Sequence, residues 1–156
     1  MFETNSSSLH TISISGQRNL NEYCEIDGDI NISLGQYGCS GDPCDDFYTK
    51  LSYALSLVLI TEYPGFSFYE DDLIIDQSVL ENLDGYNLLR TAINCHGNCD
   101  RIFIKRLDTH FYPYGYIDHQ SYEDYSSFAN FLDDWNIDAE RFLFDDNVVI
   151  YIDNDN

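Results

Sequence analysis

Between residues 47 and 60 the apolar side chains Phe47, Leu51, Ala54, Leu55, Val58 and Leu59 recur at the i, i+4, i+7, i+8 spacing of one helical face. Leu57 and Ile60 widen that face until the segment is nearly apolar all round, the mark of a helix with other layers packed over it. Asp42 is placed to cap the first turn, Pro43 suits the first helical position, and Asp45 and Asp46 lie near the positive end of the helix dipole. The helix is expected to stop before Pro64-Gly65, because a proline pushes the residue before it toward extended geometry.

Alternation marks the strands. Leu9 to Ser15 alternates around Ile12 and Ile14 and ends at Gly16, and Asp29 to Leu34 alternates in the same way and ends at Gly35. These two are candidates to pair, with Asn19 to Gly28 as their connection. Phe66 to Tyr69 fits a short strand or a loop, and Arg101 to Leu107 a further strand. A second helix, capped by Asp76 or Ser78, carries Val79, Leu80, Leu83, Leu88, Leu89, Ala92 and Ile93, with Gly85 as its weak point or break and Cys95 to Cys99 as its close. Ser121 is positioned to cap a third, with Tyr125, Phe128, Phe131, Leu132 and Trp135 at helical spacing. Asp145-Asp146-Asn147 between Arg141 to Phe144 and Val148 to Ile152 predicts a hairpin. The order of elements predicts one α+β domain over residues 1–156, a mainly antiparallel sheet packed by two or three helices.

Charge changes the picture most. The 156 residues hold 28 acidic side chains against seven lysines and arginines, a net charge of −21, although hydrophobic residues at 44% and aromatics at 15% argue against disorder. Self-repulsion on this scale opposes a compact fold, and solubility needs a net charge of only about 2–8. Salt adaptation favours small side chains, whereas this chain is rich in Ile, Asn, Tyr and Phe. An AT-rich gene would encode many lysines, yet only Lys50 and Lys105 are present. The start of the chain lacks a basic and then apolar leader, and no apolar run is long enough to span a bilayer, so the cytoplasm is the expected compartment.

Most acidic pairs have a local use. Asp45 and Asp46 suit a helix start, Asp145 and Asp146 a turn, and Asp153 with Asp155 a solvated tail. Asp133 and Asp134 instead fall in the last turn of the third helix, where the dipole disfavours carboxylates by roughly 0.3–1 kcal/mol. Glu70, Asp71 and Asp72 stack three like charges beside Leu73-Ile74-Ile75 with no capping role. Twenty Asp to eight Glu keep the charge close to the backbone, interleaved with thirteen Tyr. Duplex DNA carries one charge per roughly 1.7 Å, so −21 on one face would imitate on the order of 10 base pairs and occupy a basic nucleic-acid groove. Tyr112, Tyr114 and Tyr116, in the aromatic run from Phe111 to Ile117, are candidates to stand in for bases or to anchor an interface. A solvated acidic surface without a partner is the plainer alternative.

Candidate chemistry is sparse. Cys39 and Cys44, with Cys95 and Cys99, offer two short-spaced thiol pairs that suit structural zinc, with Cys24 and His96 nearby in sequence; thiols packed as small hydrophobes are the competing reading. Five cysteines without an export signal read as reduced thiols or ligands. Asp108, His110, Asp118 and His119 frame the aromatic run as a candidate acid/base pair or divalent-metal site, and Ser6, Ser7, Ser8 and His10 offer a hydroxyl with its base, but nothing in the sequence fixes either set. Arg101, Lys105 and Arg106, the one basic cluster, are expected to pair with the chain's own acids.

Phe2-Glu3-Thr4-Asn5-Ser6-Ser7-Ser8-Leu9-His10, followed by Thr11 to Ile14, resembles the opening of a family of small proteins encoded by phages and mobile elements of Gram-positive bacteria, which share a Glu-Thr-Asn-Ser-Ser-Ser-x-His start. The likeness covers about a dozen residues, implies a phage origin and carries over no catalytic residue. The acidic, aromatic surface is similar in kind to phage DNA mimics that block restriction or CRISPR nucleases. Together these imply a non-enzymatic anti-defence inhibitor, anti-CRISPR in type. Glu70, Asp71, Asp72, Asp133, Asp134, Asp145, Asp146 and the three tyrosines would dock on a host nuclease, with no direct contact to nucleic acid or membrane and no required cofactor. A small phage enzyme using His110, His119 or the serines, and a zinc-stabilised structural domain, are the alternatives.

Overall fold

In a computed structural model of the chain, every residue from Lys50 to Leu59 is buried. The structure describes residues 8–14, 26–34, 36–37, 45–66, 75–105, 116–117 and 125–154. The buried run belongs to α1, Phe47–Glu62, which packs against strand β2 (Asp27–Ser33) and helices α3 (Asp84–Asn94), α4 (Phe128–Trp135) and α5 (Ala139–Phe144). A helix that is apolar on all sides needs that many neighbours, since each face must leave water. Its start lies later than expected. Asp46, not Asp42, is the cap: its backbone is extended and its Oδ1 accepts from the Thr49 N–H and hydroxyl, both at 2.7 Å. Asp42 and Pro43 lie outside the described residues. The other end is as expected, with Tyr63 extended (ψ 122°) before Pro64.

The architecture is α+β, with the described strands in three two-stranded pairings. β1 (Ser8–Ile14) pairs antiparallel with β6 (Val148–Asn154), Ile12 opposite Ile150 and Ile14 opposite Val148. β2 pairs parallel with β4 (Asn98–Lys105), and β3 (Gln36–Tyr37) parallel with β5 (Tyr116–Ile117). The expected pairing of the first two alternating segments is therefore corrected, and antiparallel pairing does not prevail among the described strands. Alternation gives each strand a buried face but names no partner, and a parallel partner requires a long crossover. Here α1, α2 (Gln77–Leu80) and α3 supply it. Ile30 and Ile32 of β2 point into the core, as the alternation predicts, and Val148 and Ile150 of β6 are buried in the same core.

Side chains also take backbone groups of β4 that a further strand would pair. The Tyr86 hydroxyl accepts from the Ile102 N–H (3.0 Å), Gln77 Nε2 donates to Ile102 O (3.1 Å), and Arg90 Nε donates to Asp100 O (2.8 Å). An edge closed in this way is protected from adding strands. Burial pushes the Tyr86 phenol above its ordinary value of 10.0.

The predicted hairpin is a second correction. Residues 139–144 form α5, capped by Asp138, whose Oδ1 accepts from the Arg141 N–H at 2.7 Å. Ala139, Phe142 and Leu143 fall on one buried helical face, and the run holds no β-branched residue. The third predicted helix forms as α4, but Ser127 caps it and Ser121 lies outside the described residues. Asn136 ends it in the left-handed conformation (φ 55°), with the Ile137 N–H reaching back to Leu132 O. Phe128, Phe131 and Phe142 meet in one aromatic cluster below α1, with Tyr53 against Phe131.

Candidate functional site

Several carboxylates are occupied inside the fold. Glu62, in the last turn of α1, accepts from the Gly85 N–H through Oε1 (2.9 Å) and from the Phe128 N–H through Oε2 (3.1 Å). One side chain thus meets the first turns of both α3 and α4, where N–H groups are unpaired and the dipole is positive. It supplies what the α3 cap residue, Leu83, cannot. Gly85 is therefore not a break. A Cβ there would stand 2.5 Å from Glu62 Oε2 and from Val58 Cγ2, so the residue permits the close approach. The helix breaks earlier, at residues 81–83.

Asp145 belongs to the same class. It is fully buried, its Oδ2 accepts from Arg141 Nε (2.9 Å) and its Oδ1 from the Asn147 N–H (2.8 Å). Beside it the equally buried Lys50 donates through Nζ to Asp145 O (3.0 Å) and Val148 O (3.2 Å). Burial lowers the Lys50 pKa, against the opposing pull of Asp146, Asp145, Asp45 and Asp46. Asp145 was expected on a docking surface; its burial and its internal partners correct that. Asp146 is exposed beside it.

A second set of acids borders the helical face. α3 turns Asp84, Asn87, Leu88, Thr91, Ala92 and Cys95 toward Asp138, Ala139 and Glu140 at the start of α5, enclosing a groove of about 560 Å³. A smaller concavity of about 280 Å³, lined by Leu132, Asp133, Asn136, Ile137, Asp138 and Arg141, adjoins it through Asp138. Four carboxylates thus edge two neighbouring hollows, against one guanidinium that already bonds Asp145. Glu140 Oε1 also stands 2.9 Å from His96 Nε2, whose ring stacks on Phe144.

Asp133 and Asp134 are exposed in the last turn of α4, where the sequence places them. Asp134 has a local use the sequence did not reveal: it accepts from the Tyr125 hydroxyl (3.3 Å), which in turn accepts from Trp135 Nε1 (3.2 Å). Leu88, expected among the core positions of its helix, is 37% exposed in the groove. Asp84, Asp138 and Glu140 were not singled out from the sequence. Of the three only Asp84 lies on the α3 stripe 84, 87, 88, 91; Asp138 and Glu140 join it through the packing of α5 on α3, which no local pattern records.

The other expected site residues are not assembled by the described structure. Glu70, Asp71, Asp72, Tyr112, Tyr114, His110, His119, Cys39, Cys44, Ser6 and Ser7 lie outside the described residues. Tyr116 enters through the backbone pairing of β5 with Gln36. Cys95 is exposed and Cys99 buried, its thiol pushed up by that burial. Among the described residues no group of three or more His, Cys, Asp or Glu side chains could hold a metal ion. The Arg101 guanidinium lies 5.4 Å from the Phe103 ring centroid. No described helix is long and apolar enough to cross a membrane. No family model, curated protein or solved structure matches the chain.

Proposed function

We propose that this chain is a non-catalytic inhibitor that docks an acidic helical face on a basic, nucleic-acid-handling host protein, with a CRISPR nuclease of a phage's bacterial host as the partner to test first. The observation that carries this reading is the line of Asp84, Glu140, Asp138 and Asp133 along two adjoining hollows, in a chain of net charge −21. A field of one sign over a shaped surface steers a basic partner and displaces its counterions as a nucleic acid does. The phage-like opening of the chain agrees with an anti-defence role in the host cytoplasm. Glu70, Asp71 and Asp72, with Tyr112 and Tyr114, remain part of the proposed contact set, and Asp145 is removed from it.

The test is capture of purified CRISPR nucleases by the immobilised chain at low and high salt, with and without competing DNA. Capture that falls steeply with salt and is competed by DNA supports the reading. Capture indifferent to salt, or none across the panel, overturns it.

A further inference from the structure

The groove between α3 and α5 differs from the rest of the acidic face in having an apolar floor. Leu88, Ala92, Cys95 and Ala139 line it, and Asp84, Asp138 and Glu140 stand along its rim. The α3 side of the groove keeps the spacing i, i+3, i+4, i+7, i+8, i+11 from Asp84 to Cys95, so the groove runs the length of the helix, about 16 Å at 1.5 Å per residue, and its apolar floor from Leu88 to Cys95 about 10 Å of that. The opposite side of α3 is spent in the core, where Tyr86, Leu89 and Ile93 are buried. Leu88 is 37% exposed in a trough flanked by carboxylates, leaving apolar surface in water at the middle of the groove.

Resting on the docking reading above, we propose that this groove receives one amphipathic helix of the partner, apolar on the side that meets Leu88 and carrying lysine or arginine along both flanks. Charge complementarity selects that occupant. An acidic helix would meet three like charges, and a wholly polar basic segment would leave the apolar floor wet. A helix laid along a trough of three turns reads its anchors at i, i+3/i+4 and i+7, matching the turns of α3 beneath it. The acids set the sign and orientation of the bound helix, and Leu88 supplies the desolvated centre.

The experiment titrates the full chain with a synthetic leucine/lysine amphipathic helix of about four turns. Controls are a helix of the same charge with serine for leucine and a leucine/glutamate helix. Backbone amide shifts locate the contact, and binding is followed by fluorescence anisotropy at low and high salt. The expected result is perturbation centred on residues 84–95 and 138–140. Leu88→Ser should weaken binding about tenfold, as loss of a central anchor does. The triple variant Asp84→Asn, Asp138→Asn, Glu140→Gln, which keeps the Asp138 cap and the contact with His96, should weaken it similarly and flatten the salt dependence. The serine helix should bind more weakly and the glutamate helix not at all.

Salt-sensitive binding that maps elsewhere, or that ignores Leu88→Ser, overturns the groove proposal while leaving the acidic docking reading standing. No binding of either lysine helix at low salt overturns both. A concentration-dependent dimer abolished by Leu88→Ser assigns the groove to a second copy and also overturns the proposal. Circular dichroism of each variant ensures that a lost signal is not a lost fold.

Discussion

Glu62 and Glu140 stand on helices that pack against each other, yet they do different things. Glu62 gives both oxygens to backbone N–H groups at the starts of α3 and α4, holding three helices at one point. Glu140 borders an open groove with Asp84 and Asp138. Asp145 repeats the first pattern, fully buried against Arg141, and Asp133 repeats the second, exposed at the end of α4. The chain's acidity is therefore two populations. One is bonded inward and resists removal, while the other lines the surface hollows, with a cost to the fold only where Asp133 and Asp134 sit at the negative end of α4. Amide substitution should separate them, because it keeps shape and removes charge.

The largest effect is expected at the Glu62 contact. Glu62→Ala leaves two helix-start N–H groups without their carboxylate, and hydrogen bonds to charged groups contribute about 1.5–3 kcal/mol each. Urea denaturation should show a loss of roughly 3–5 kcal/mol. Gly85→Ala attacks the same point from the other side, since the new Cβ meets Glu62 and Val58, and should cost about 1–3 kcal/mol or more. If both variants melt like the parent, Glu62 does not hold the helices and the division between the two populations fails.

Asp145→Ala comes next. It strips Arg141 and the Asn147 N–H of their partner in a fully buried place, where removal of one member of an ion pair costs about 3 kcal/mol. Asp145→Asn should cost less, because an amide oxygen still accepts one bond. Neither change should alter partner capture by a chain that remains folded, which separates Asp145 from the surface acids.

Tyr86→Phe is smaller, at about 1–2 kcal/mol, from the Ile102 N–H left unpaired in the interior. It has a pH signature. The folded-state pKa of Tyr86 is raised by burial, so its contribution is fully present below 10.0 and is lost as pH rises beyond that. Stability of the parent should fall more steeply above pH 10.0 than that of Tyr86→Phe. Equal slopes would show that the phenol is not desolvated.

What the sequence made legible follows from what each signal encodes. The apolar run of α1 identified the centre of the fold, because a helix without a polar side has one place to go. The alternation of Asp29 to Leu34 marked a strand with one buried face and the β-prone run Val148 to Ile152 marked another strand, but strand partners depend on chain-long connections that no local pattern records. Arg141 to Phe144 misled because four apolar-rich residues fit either period, and the deciding cap, Asp138, lay just upstream. Gly85 looked like a flaw because a close approach by Glu62, twenty-three residues away, is visible only in space. Of the surface set, Asp133 and Asp134 were legible as acids at the wrong end of a helix. Asp84, Asp138 and Glu140 were not, since each also suits a helix start and only the meeting of α3 with α5 brings them together.

The smallest stability effect and the clearest functional one are expected together in the double variant Asp133→Asn, Asp134→Asn. Both residues sit in the last turn of α4, where the negative end of the dipole opposes carboxylates, so neutralising them should stabilise the fold by about 0.3–1 kcal/mol. The amide that replaces the Asp134 carboxylate still offers an oxygen to the Tyr125 hydroxyl, so the chain from Trp135 through Tyr125 is kept. A residue pair held against local stability should matter elsewhere. Capture of the basic partner should weaken, and the slope of log affinity against log salt should fall by up to about 2, near one per contact removed. A more stable variant with weaker, less salt-sensitive binding means these acids serve an interface. A more stable variant that binds equally well would show their placement to be surface charge without a partner, and the docking face would then reduce to the groove between α3 and α5.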